Sequence, residues 1–594
     1  MLLVIECILV VIAVCLAIAF PRLGDRGFSF FERHFARLAS RRLLSVVAVG
    51  LSAVVLRVAL LPVLGIPEPA GHDEFSYLLA ADTFAHRRLA NPTHPMGTHF
   101  ETFHVNQEPT YVSMYFPAQG LVLALGKVIF GHPIWGVWLS TALMCAAICW
   151  MLQGWVAPHW ALLGGLLAVV RLGTFSYWMN SYWGGSVAAL GGALVLGALP
   201  RIKQSQRLND VLLMGLGFAL LANSRPYEGL FLSIPVVVAL LFWVFNKDRA
   251  ELRERFVRVF VPLTVLFLIT IALMGYYFWR TTGDPLRTPY SINSATYRPV
   301  GVFPWEKVNS EISYHHKAMH DYYTGWVMDQ YRFSRTHPLI LLVLKAFMTW
   351  DFFLGPALTI PFLAACFVLP YGTSFRDFSP GTQFLLLVFG AVMIGVALPS
   401  CLEPHYLAPS TCVFYGLLLV AMRCVWGWRP QDRPVGVALV RAVLCVALVT
   451  LILPALVPSL QVRNTIPELM TWCSPGSEHT FRKGILDSLF TAPGQHLVIV
   501  RYTPDHDARN DWVFNDADID HSKVVWARDM ADKNQELIHY FSARTVWIVE
   551  PDKLPPALSP YPIPGNAATQ TSKPVAQPEN ASVLAPLEAD GGHR

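Results

Sequence analysis

Repeated apolar runs of about 20 residues constrain this chain more than any other feature, because a run of that length can cross the hydrocarbon core of a bilayer as an α-helix. Only 14% of the 594 residues are charged, whereas soluble domains carry about 25%. The sequence therefore predicts an α-helical polytopic membrane protein, and its composition excludes a disordered chain, a disulfide-dense secreted domain and a nucleic-acid-binding protein. We count about twelve runs, near residues 1–20, 44–66, 134–154, 159–179, 184–200, 210–226, 229–246, 257–279, 353–371, 382–400, 406–428 and 435–458.

The Lys and Arg residues between these runs predict the orientation of the protein. The loop 21–42 carries six arginines, so by the positive-inside rule it lies in the cytoplasm. Alternation of the later runs places the basic loops 201–209 and 247–256 on the same side, whereas the short loops 180–183 and 401–405 on the other side contain no Lys or Arg. The N-terminus and three larger regions are therefore expected outside the cytoplasm: 67–133, 280–352 and 459–594.

The three external regions differ in character. In the first, residues 71–85 are expected to form an amphipathic helix that lies at the membrane interface. The second contains an aromatic-rich stretch, 305–331, of the kind found at the level of the lipid headgroups. The third is predicted to hold a small C-terminal soluble α/β domain, with strands at 497–500, 524–526 and 545–549 and a helix at 533–541.

These features divide the chain into four parts. They are an N-terminal transmembrane helix with a cytoplasmic basic loop (1–43), a transmembrane domain (44–458), an extracytoplasmic α/β domain (459–552) and a tail rich in Pro, Ala and Ser that we expect to be disordered (553–594).

Two adjacent carboxylates, Asp73 and Glu74, follow the second apolar run directly. Neighbouring residues of a helix point about 100° apart, so one carboxylate can face a cavity while the other caps or pairs. A carboxyl group beside apolar lipid has a raised pKa unless a cation or a metal partners it. The pair is therefore a candidate general base, and the alternative is a surface acidic pair in the first turn of an interfacial helix.

Two arginines, Arg57 and Arg171, lie inside apolar runs. An arginine within a membrane span is costly and marks a functional or paired position by default. We expect these two side chains to form a cationic lining that holds an anion such as phosphate near Asp73. The alternative is that they extend to the outer headgroups.

Further polar residues stand where other apolar runs end on the predicted external side, and their coincidence on one face favours a shared site. The acidic run at 505–521 lacks the spacing of a calcium loop and is better explained as a solvated loop. The sequence contains no nucleotide-binding fingerprint, which weighs against an ATP-driven pump. The candidate binding residues at these ends are Arg225, Glu228, Asp284, Glu403, His405 and Tyr406.

Four of these segments, in this order, resemble motifs of the GT-C membrane glycosyltransferases, in particular the group of dolichyl-phosphate-mannose–protein mannosyltransferases and aminoarabinose transferases. Residues 73–77, Asp-Glu-Phe-Ser-Tyr, are similar to the first-loop motif. Residues 115–120 resemble the Tyr-Pro-Pro element, 222–229 the basic-Pro turn and 405–409 the late Arg-Tyr…Pro turn. The resemblance covers roughly residues 44–428.

The resemblance implies a GT-C-like, inverting glycosyltransferase of a bacterial inner (plasma) membrane. Such an enzyme moves a sugar from a polyprenyl-phosphate donor to an extracytoplasmic acceptor, which is a glycan, lipid or protein. Asp73 would be the base or acceptor-orienting residue, with Glu74 in a lesser role, and Arg225 and Tyr406 would contact the phosphate. A divalent metal ion at the acid pair is compatible with the family. The chain departs from the pattern in its extra N-terminal span and in His405, where an arginine is common.

Two other classes of protein remain open at this stage. A transporter or flippase of a lipid-linked or small solute would explain the spans and the intramembrane arginines, although no repeated half is visible and the polar groups gather on one face. A non-catalytic scaffold would explain the C-terminal domain but would leave the acid pair without a role.

The predicted orientation can be tested by labelling single cysteines in intact cells. We expect a membrane-impermeant maleimide to label Asn510→Cys, because 459–594 is predicted to lie outside, and to leave a cysteine in the basic loop 201–209 unlabelled until the membrane is opened. Protection of residue 510 would contradict both the orientation and the external site.

Overall fold

The structure is a computed structural model that describes residues 1–246, 249–401, 403–461, 471–473 and 480–562. Its contacts divide the chain into two compact units. The membrane unit comprises Met1–Glu478 together with Asp507–Asp518, and the C-terminal unit comprises His479–His506 and Ile519–Arg594.

The described chain is mostly helical. In chain order the α-helices are α1 (Leu2–Ala19), α2 (Asp25–Ser40), α3 (Arg42–Ala59), α4 (Leu61–Leu64), α5 (His72–Ala85), α6 (Pro117–Phe130), α7 (Ile134–Leu152), α8 (Pro158–Leu172), α9 (Tyr177–Asn180), α10 (Ser186–Ser205), α11 (Leu208–Ala222), α12 (Pro226–Phe245), α13 (Arg249–Arg255), α14 (Val261–Thr282), α15 (Pro289–Tyr297), α16 (Lys317–Asp321), α17 (Met328–Thr336), α18 (Pro338–Phe353), α19 (Gly355–Val368), α20 (Pro380–Ala397), α21 (Thr411–Trp426), α22 (Val435–Leu456), α23 (Phe481–Thr491) and α24 (Asn534–Tyr540). The strands are β1 (Val105–Asn106), β2 (Val112–Ser113), β3 (His496–Val500), β4 (Val524–Arg528), β5 (Thr545–Glu550) and β6 (Ala557–Pro560).

All twelve predicted runs fall on these helices, and the predicted α-helical polytopic fold with a small C-terminal sheet is confirmed. Among the described residues, nine helices are long and apolar enough to cross a bilayer. α18 and α19 together form a tenth candidate that is bent by 102° at the break between them. The runs at 159–179 and 210–226 correspond to α8 and α11, which have only 15 residues each.

α10 forms the centre of the helical packing, because small residues let its neighbours approach closely. A methyl group added at Gly192 would lie 1.8 Å from the carbonyl oxygen of Pro409, and one added at Gly197 would lie 2.3 Å from the ring of Trp150. The contact at Gly192 holds the 3₁₀ segment Pro404–Ser410 against α10. The glycine therefore sets the position of a segment that also carries two candidate site residues.

The helix after the second run is buried rather than interfacial. α5 has no exposed residue along its 14 positions, and it packs against α6. The prediction of an amphipathic helix at the membrane interface is therefore wrong. The polar residues of α5 face other parts of the protein instead of lipid headgroups.

Two regions predicted to be external each contain an apolar helix with an exposed face. α6 exposes Leu125, Val128 and Ile129, and α18 exposes Leu339 and Val343. Exposed apolar faces of this size indicate contact with lipid or another apolar surface. The prediction of 67–133 and 280–352 as extracytoplasmic regions did not anticipate these two apolar helices.

The aromatic stretch of the second external region is largely buried. Tyr322, Tyr323 and Tyr331 pack in a cluster with Phe103 of the first region. These tyrosines therefore contact protein and not lipid, whereas Trp305 is exposed, and the position of the stretch at the headgroup level stays a prediction. The cluster joins two segments that are about 200 residues apart in sequence and meet beside the cavity described below.

The C-terminal unit contains a four-stranded sheet in the order β4-β3-β5-β6. β3 pairs in parallel with β4 and β5, and β6 pairs with β5 in antiparallel fashion. β3 and β4 are buried at every position, as expected of strands covered on both faces. The three predicted strands and the helix between the last two are confirmed. β6 lies beyond residue 552, within the predicted disordered tail, and the rest of that tail, 563–594, is outside the described residues.

The segment 507–518 interrupts the C-terminal unit in sequence but belongs to the membrane unit. Asp511, which was predicted to lie in a solvated loop, is buried, so that prediction is wrong at this position. The segment is fixed to the first external region by several contacts. Thr102 Oγ1 donates a hydrogen bond to Asp511 Oδ2 (2.8 Å), the Ala517 N–H donates to Asp82 Oδ2 (2.8 Å), and the ring of Phe514 stacks on that of Phe75 with centroids 4.0 Å apart.

The close approach at Gly192 leads to a stability prediction. Gly192→Ala should lower the thermal unfolding temperature of the purified protein, because overpacking of this kind costs about 1–3 kcal/mol. The matched control is Gly390→Ala in α20, where an added methyl group meets nothing within 4 Å. Equal unfolding temperatures for the two variants would contradict the close packing of Pro404–Ser410 on α10.

Candidate functional site

A cavity of about 370 Å³ opens in the membrane unit where α5, α12 and the segment Pro404–Ser410 begin. One part of its lining is polar and aromatic, and another part is apolar. The polar part includes His72, Asp73, His104, Tyr115, Arg225, Tyr290, Arg298, Tyr322, Lys345, Glu403, His405, Tyr406 and Arg509, and the apolar part includes Val327, Phe333, Leu341, Leu344 and Met348.

Asp73 lies in the first turn of α5 and faces this cavity. The hydroxyl group of Tyr115 donates a hydrogen bond to its Oδ1. Burial raises the pKa of the Asp73 carboxyl above its ordinary value, and the nearby charges of His104 and Arg225 oppose that rise. A carboxylate whose pKa is raised accepts a proton more readily than an ordinary aspartate does.

Glu74 does not line the cavity. Its Oε2 accepts hydrogen bonds from the backbone N–H groups of Ala70 and Gly71, both at 3.0 Å, and its Oε1 accepts one from the Tyr182 N–H, also at 3.0 Å. Burial raises the pKa of this carboxyl and the three N–H donors oppose the rise. Glu74 therefore caps the start of α5 and ties it to the loop before α10, a role different from the predicted catalytic one.

Arg225 enters the cavity from the residue before α12. Its guanidinium group lies over the ring of Tyr406, 4.9 Å from the centroid. Glu228, one turn along α12, is buried outside the lining and its charge interacts with that of Arg225. The negative charge of Glu228 favours the charged form of the guanidinium group.

The segment Pro404–Ser410 contributes His405 and Tyr406 to the cavity, and Glu403 precedes it. His405 Nδ1 is 3.0 Å from the hydroxyl group of Tyr177, and its ring packs against that of Trp183. The structure thus brings Asp73, Arg225, Glu403, His405 and Tyr406 together, although they come from three separate stretches of sequence. The chemical role of each remains a prediction.

Three predicted binding residues lie elsewhere. Arg57, at the end of α3, donates to the Gly65 carbonyl and lies over the ring of Trp138. Arg171 contacts Glu6 and the carbonyl groups at the end of α18. Asp284 is exposed in a turn, where its Oδ1 accepts from the Leu286 N–H. The structure does not bring these side chains to Asp73.

The sequence interpretation missed several residues of the lining. Lys345 lies in the apolar helix α18. A lysine inside an apolar run is a signal of a functional or paired position, so the sequence could have identified it. Its Nζ donates to the carbonyl groups of Val396, Ala397 and Pro399, so its three protons are all used.

Arg298 carries no comparable signal in the sequence, since it lies in a polar loop. Its Nε is buried with no hydrogen-bond partner among the described residues.

His104 is another lining residue that the sequence interpretation missed, and its backbone is unusual. Its φ of 62° is in the left-handed region, which a non-glycine residue rarely adopts. Its carbonyl group accepts hydrogen bonds from the Ser76 hydroxyl and the Met114 N–H, and these bonds hold the conformation in place. Burial lowers the pKa of the imidazole, while the charge of Asp73 opposes this. A strained residue beside a buried acid is typical of a functional site.

The charges around the cavity favour an anion. In the described part of the chain, four cationic side chains and two carboxylates line it. No three His, Cys, Asp or Glu side chains among the described residues are placed to hold a metal ion, so a divalent cation at the acid pair remains a prediction. Together with the apolar lining, the arrangement suits an amphiphile that has an anionic head.

No protein-family model and no curated protein sequence matches the chain. Among solved structures it is similar to the Archaeoglobus fulgidus oligosaccharyltransferase tethered with an acceptor peptide, with 13% identity over 78% of this chain and 62% of that chain and a TM-score of 0.43. The chain thus spans about three fifths of that protein.

It is also similar to ArnT from Cupriavidus metallidurans. For the apo state the identity is 12% over 85% of this chain and 92% of that chain, with a TM-score of 0.45. For the state bound to undecaprenyl phosphate the identity is 14% over the same shares, with a TM-score of 0.42.

The contrast between Asp73 and Glu74 predicts opposite effects on stability. Because the folded-state pKa of Asp73 is raised above its ordinary value of 3.8, the carboxyl contributes stability below that pH which is lost as the pH rises through the folded-state pKa. Asp73→Asn avoids this loss, so we expect a higher unfolding temperature than wild type at about pH 7.5 and no difference near pH 4.

Glu74→Gln is the matched variant for this measurement. An amide nitrogen in place of one carboxylate oxygen would meet an N–H donor, and an unsatisfied buried group costs about 1–3 kcal/mol. We expect a lower unfolding temperature than wild type at about pH 7.5. The same sign of change in both variants at that pH would contradict the division of roles.

Proposed function

We propose that the protein is a membrane glycosyltransferase that moves a sugar from a polyprenyl-phosphate donor to an acceptor, with inversion at the sugar carbon. The observation that carries the proposal is the composition of the cavity, which joins an acid and excess positive charge to an apolar wall. A polyprenyl-phosphate sugar has the matching parts, namely an apolar chain, an anionic phosphate and a polar sugar.

Arg225 and Arg298 are the residues that we assign to the donor phosphate. Both line the cavity, and the charge of Arg225 interacts with that of Asp73. Their cationic groups would offset the negative charge that develops on the phosphate as the bond to the sugar breaks. Lys345 adds positive charge, but its protons are committed to backbone carbonyl groups.

Asp73 is the residue that we assign to the acceptor. The acceptor hydroxyl oxygen attacks the anomeric carbon, its proton passes to the Asp73 carboxylate, and the bond between that carbon and the phosphate oxygen breaks. Polyprenyl phosphate leaves with the bonding electrons. Because the phosphate is already a good leaving group, this chain needs no nucleotide for the step.

The position of the cavity favours this proposal over the transporter alternative. Most of the polar lining comes from helix starts and connecting segments, whereas transporters bind their solutes near the middle of the membrane. With the predicted orientation, the reaction would take place on the external side of a bacterial inner membrane. A scaffold would leave the buried acid without a role.

The catalytic assignment predicts a large kinetic effect at Asp73. Asp73→Asn keeps the shape of the side chain but removes the basic oxygen, so transfer from undecaprenyl-phosphate-linked sugars should fall by about 10² to 10⁴. Binding of undecaprenyl phosphate itself should be retained. The measurement uses the detergent-purified full chain and a panel of such donors, with release of undecaprenyl phosphate as the readout.

Asp329→Asn, which changes an exposed carboxylate on α17, is the matched control and should keep full activity. Arg225→Gln should weaken undecaprenyl-phosphate binding by about tenfold or more, since a hydrogen bond to a charged group contributes about 1.5–3 kcal/mol. Full activity of Asp73→Asn, or a wild-type protein that neither binds undecaprenyl phosphate nor cleaves any donor of the panel, would overturn the proposal.

A further inference from the structure

A buried ion pair joins the N-terminal helix to the break between α18 and α19. Glu6 is the one carboxylate of the apolar helix α1, and only 1% of it is exposed. Its Oε2 lies 3.6 Å from Arg171 Nη1 of α8. Two charges buried in a membrane protein are costly, so their retention calls for a specific reason.

The contacts on the two sides of the pair provide that reason. Arg171 donates from Nε to the Phe352 carbonyl at 3.1 Å and from Nη2 to the Asp351 carbonyl, so the cation lies at the C-terminal end of α18. Glu6 Oε1 accepts from the Ala357 N–H at 3.1 Å, so the anion lies at the N-terminal end of α19. Each charge has the sign that the helix dipole at that end favours.

A helix break inside a bilayer leaves backbone groups without partners, because lipid cannot supply hydrogen bonds. The pair satisfies such groups on both sides of a 102° bend. Gly355 at the bend has a φ of 61°, and a methyl group there would lie 2.4 Å from Arg171 Nη2. The guanidinium group thus occupies the space that a side chain at residue 355 would need.

The bend determines where α18 lies relative to the cavity. Leu341, Leu344 and Met348 of α18 belong to the apolar lining, and Lys345 of the same helix holds the end of α20. We propose that Glu6 is a positioning residue, which acts with Arg171 to set the apolar wall that receives the lipid chain of the donor. This inference rests on the proposed function for the identity of the lipid.

The experiment measures binding and turnover of the full chain after Glu6→Gln. We expect the Kd for undecaprenyl phosphate and the KM for the donor to rise about fivefold to tenfold, with kcat changed much less, because the reacting groups are untouched. The matched control is Arg441→Gln, which breaks another buried arginine's pairs with Asp25 and Glu32 away from the cavity. The control should keep the wild-type Kd.

The exchanged variant Glu6→Arg/Arg171→Glu separates this role from that of an ordinary salt bridge. An ordinary ion pair would be rescued by exchange, whereas here both exchanged charges would oppose the helix ends, so we expect no rescue. Rescue of the Kd, or a wild-type Kd in Glu6→Gln, would overturn the inference. If wild type itself fails to bind undecaprenyl phosphate, the proposed function fails instead.

A second measurement needs no ligand. Spin labels at Phe347→Cys on α18 and Ile394→Cys on α20, both exposed positions, report the distance between the two helices. We expect Glu6→Gln to shift or broaden that distance and Arg441→Gln to leave it unchanged. An unchanged distance in Glu6→Gln would also overturn the inference.

Discussion

The placement of the candidate site depends on the carboxylate of Glu74. Its three bonds to backbone N–H groups fix the start of α5 and join it to the loop that precedes α10. The neighbouring side chain, Asp73, is thereby turned toward the cavity. Farther along the same helix, Phe75 and Asp82 hold the segment 507–518, so the orientation of α5 also fixes that segment.

The same physical rule operates at the break between α18 and α19. Backbone groups at a helix end need partners, and in an apolar environment only the protein can supply them. At α5 a single carboxylate from the same helix meets this need, whereas at the break an acid from α1 and a base from α8 meet it together. In both places charged residues position helices that line the cavity. Glu74 does so for α5, and Glu6 with Arg171 does so for α18, without any need to contact a substrate.

How far the sequence could predict the structure depends on whether a feature follows from local residues or from contacts between distant segments. The apolar runs and the strands of the C-terminal unit follow from local periodicity and composition, and they are found where expected. For Asp73, Arg225 and His405, their positions at the ends of runs were enough to group them. The partners of Arg171, and the bond from the Tyr182 N–H to Glu74, could not be predicted, because contacts with distant segments leave no mark in composition. For the same reason, the packing of the segment 507–518 on α5 could not be predicted.

Asp73 and Glu74 are adjacent in sequence, but they have different environments and different roles. We assign Asp73 to the chemistry, whereas Glu74 holds the start of α5. A base that works near neutral pH has to be held where water solvates it poorly, and burial of this kind disfavours its charged form. The surrounding structure must therefore hold it there against that cost. Glu74 also bears a burial cost, which three N–H donors reduce, and the turn that they hold keeps Asp73 beside Tyr115, His104 and Arg225. The carboxylate with three backbone donors thus holds in place the neighbouring one that we assign to the chemistry.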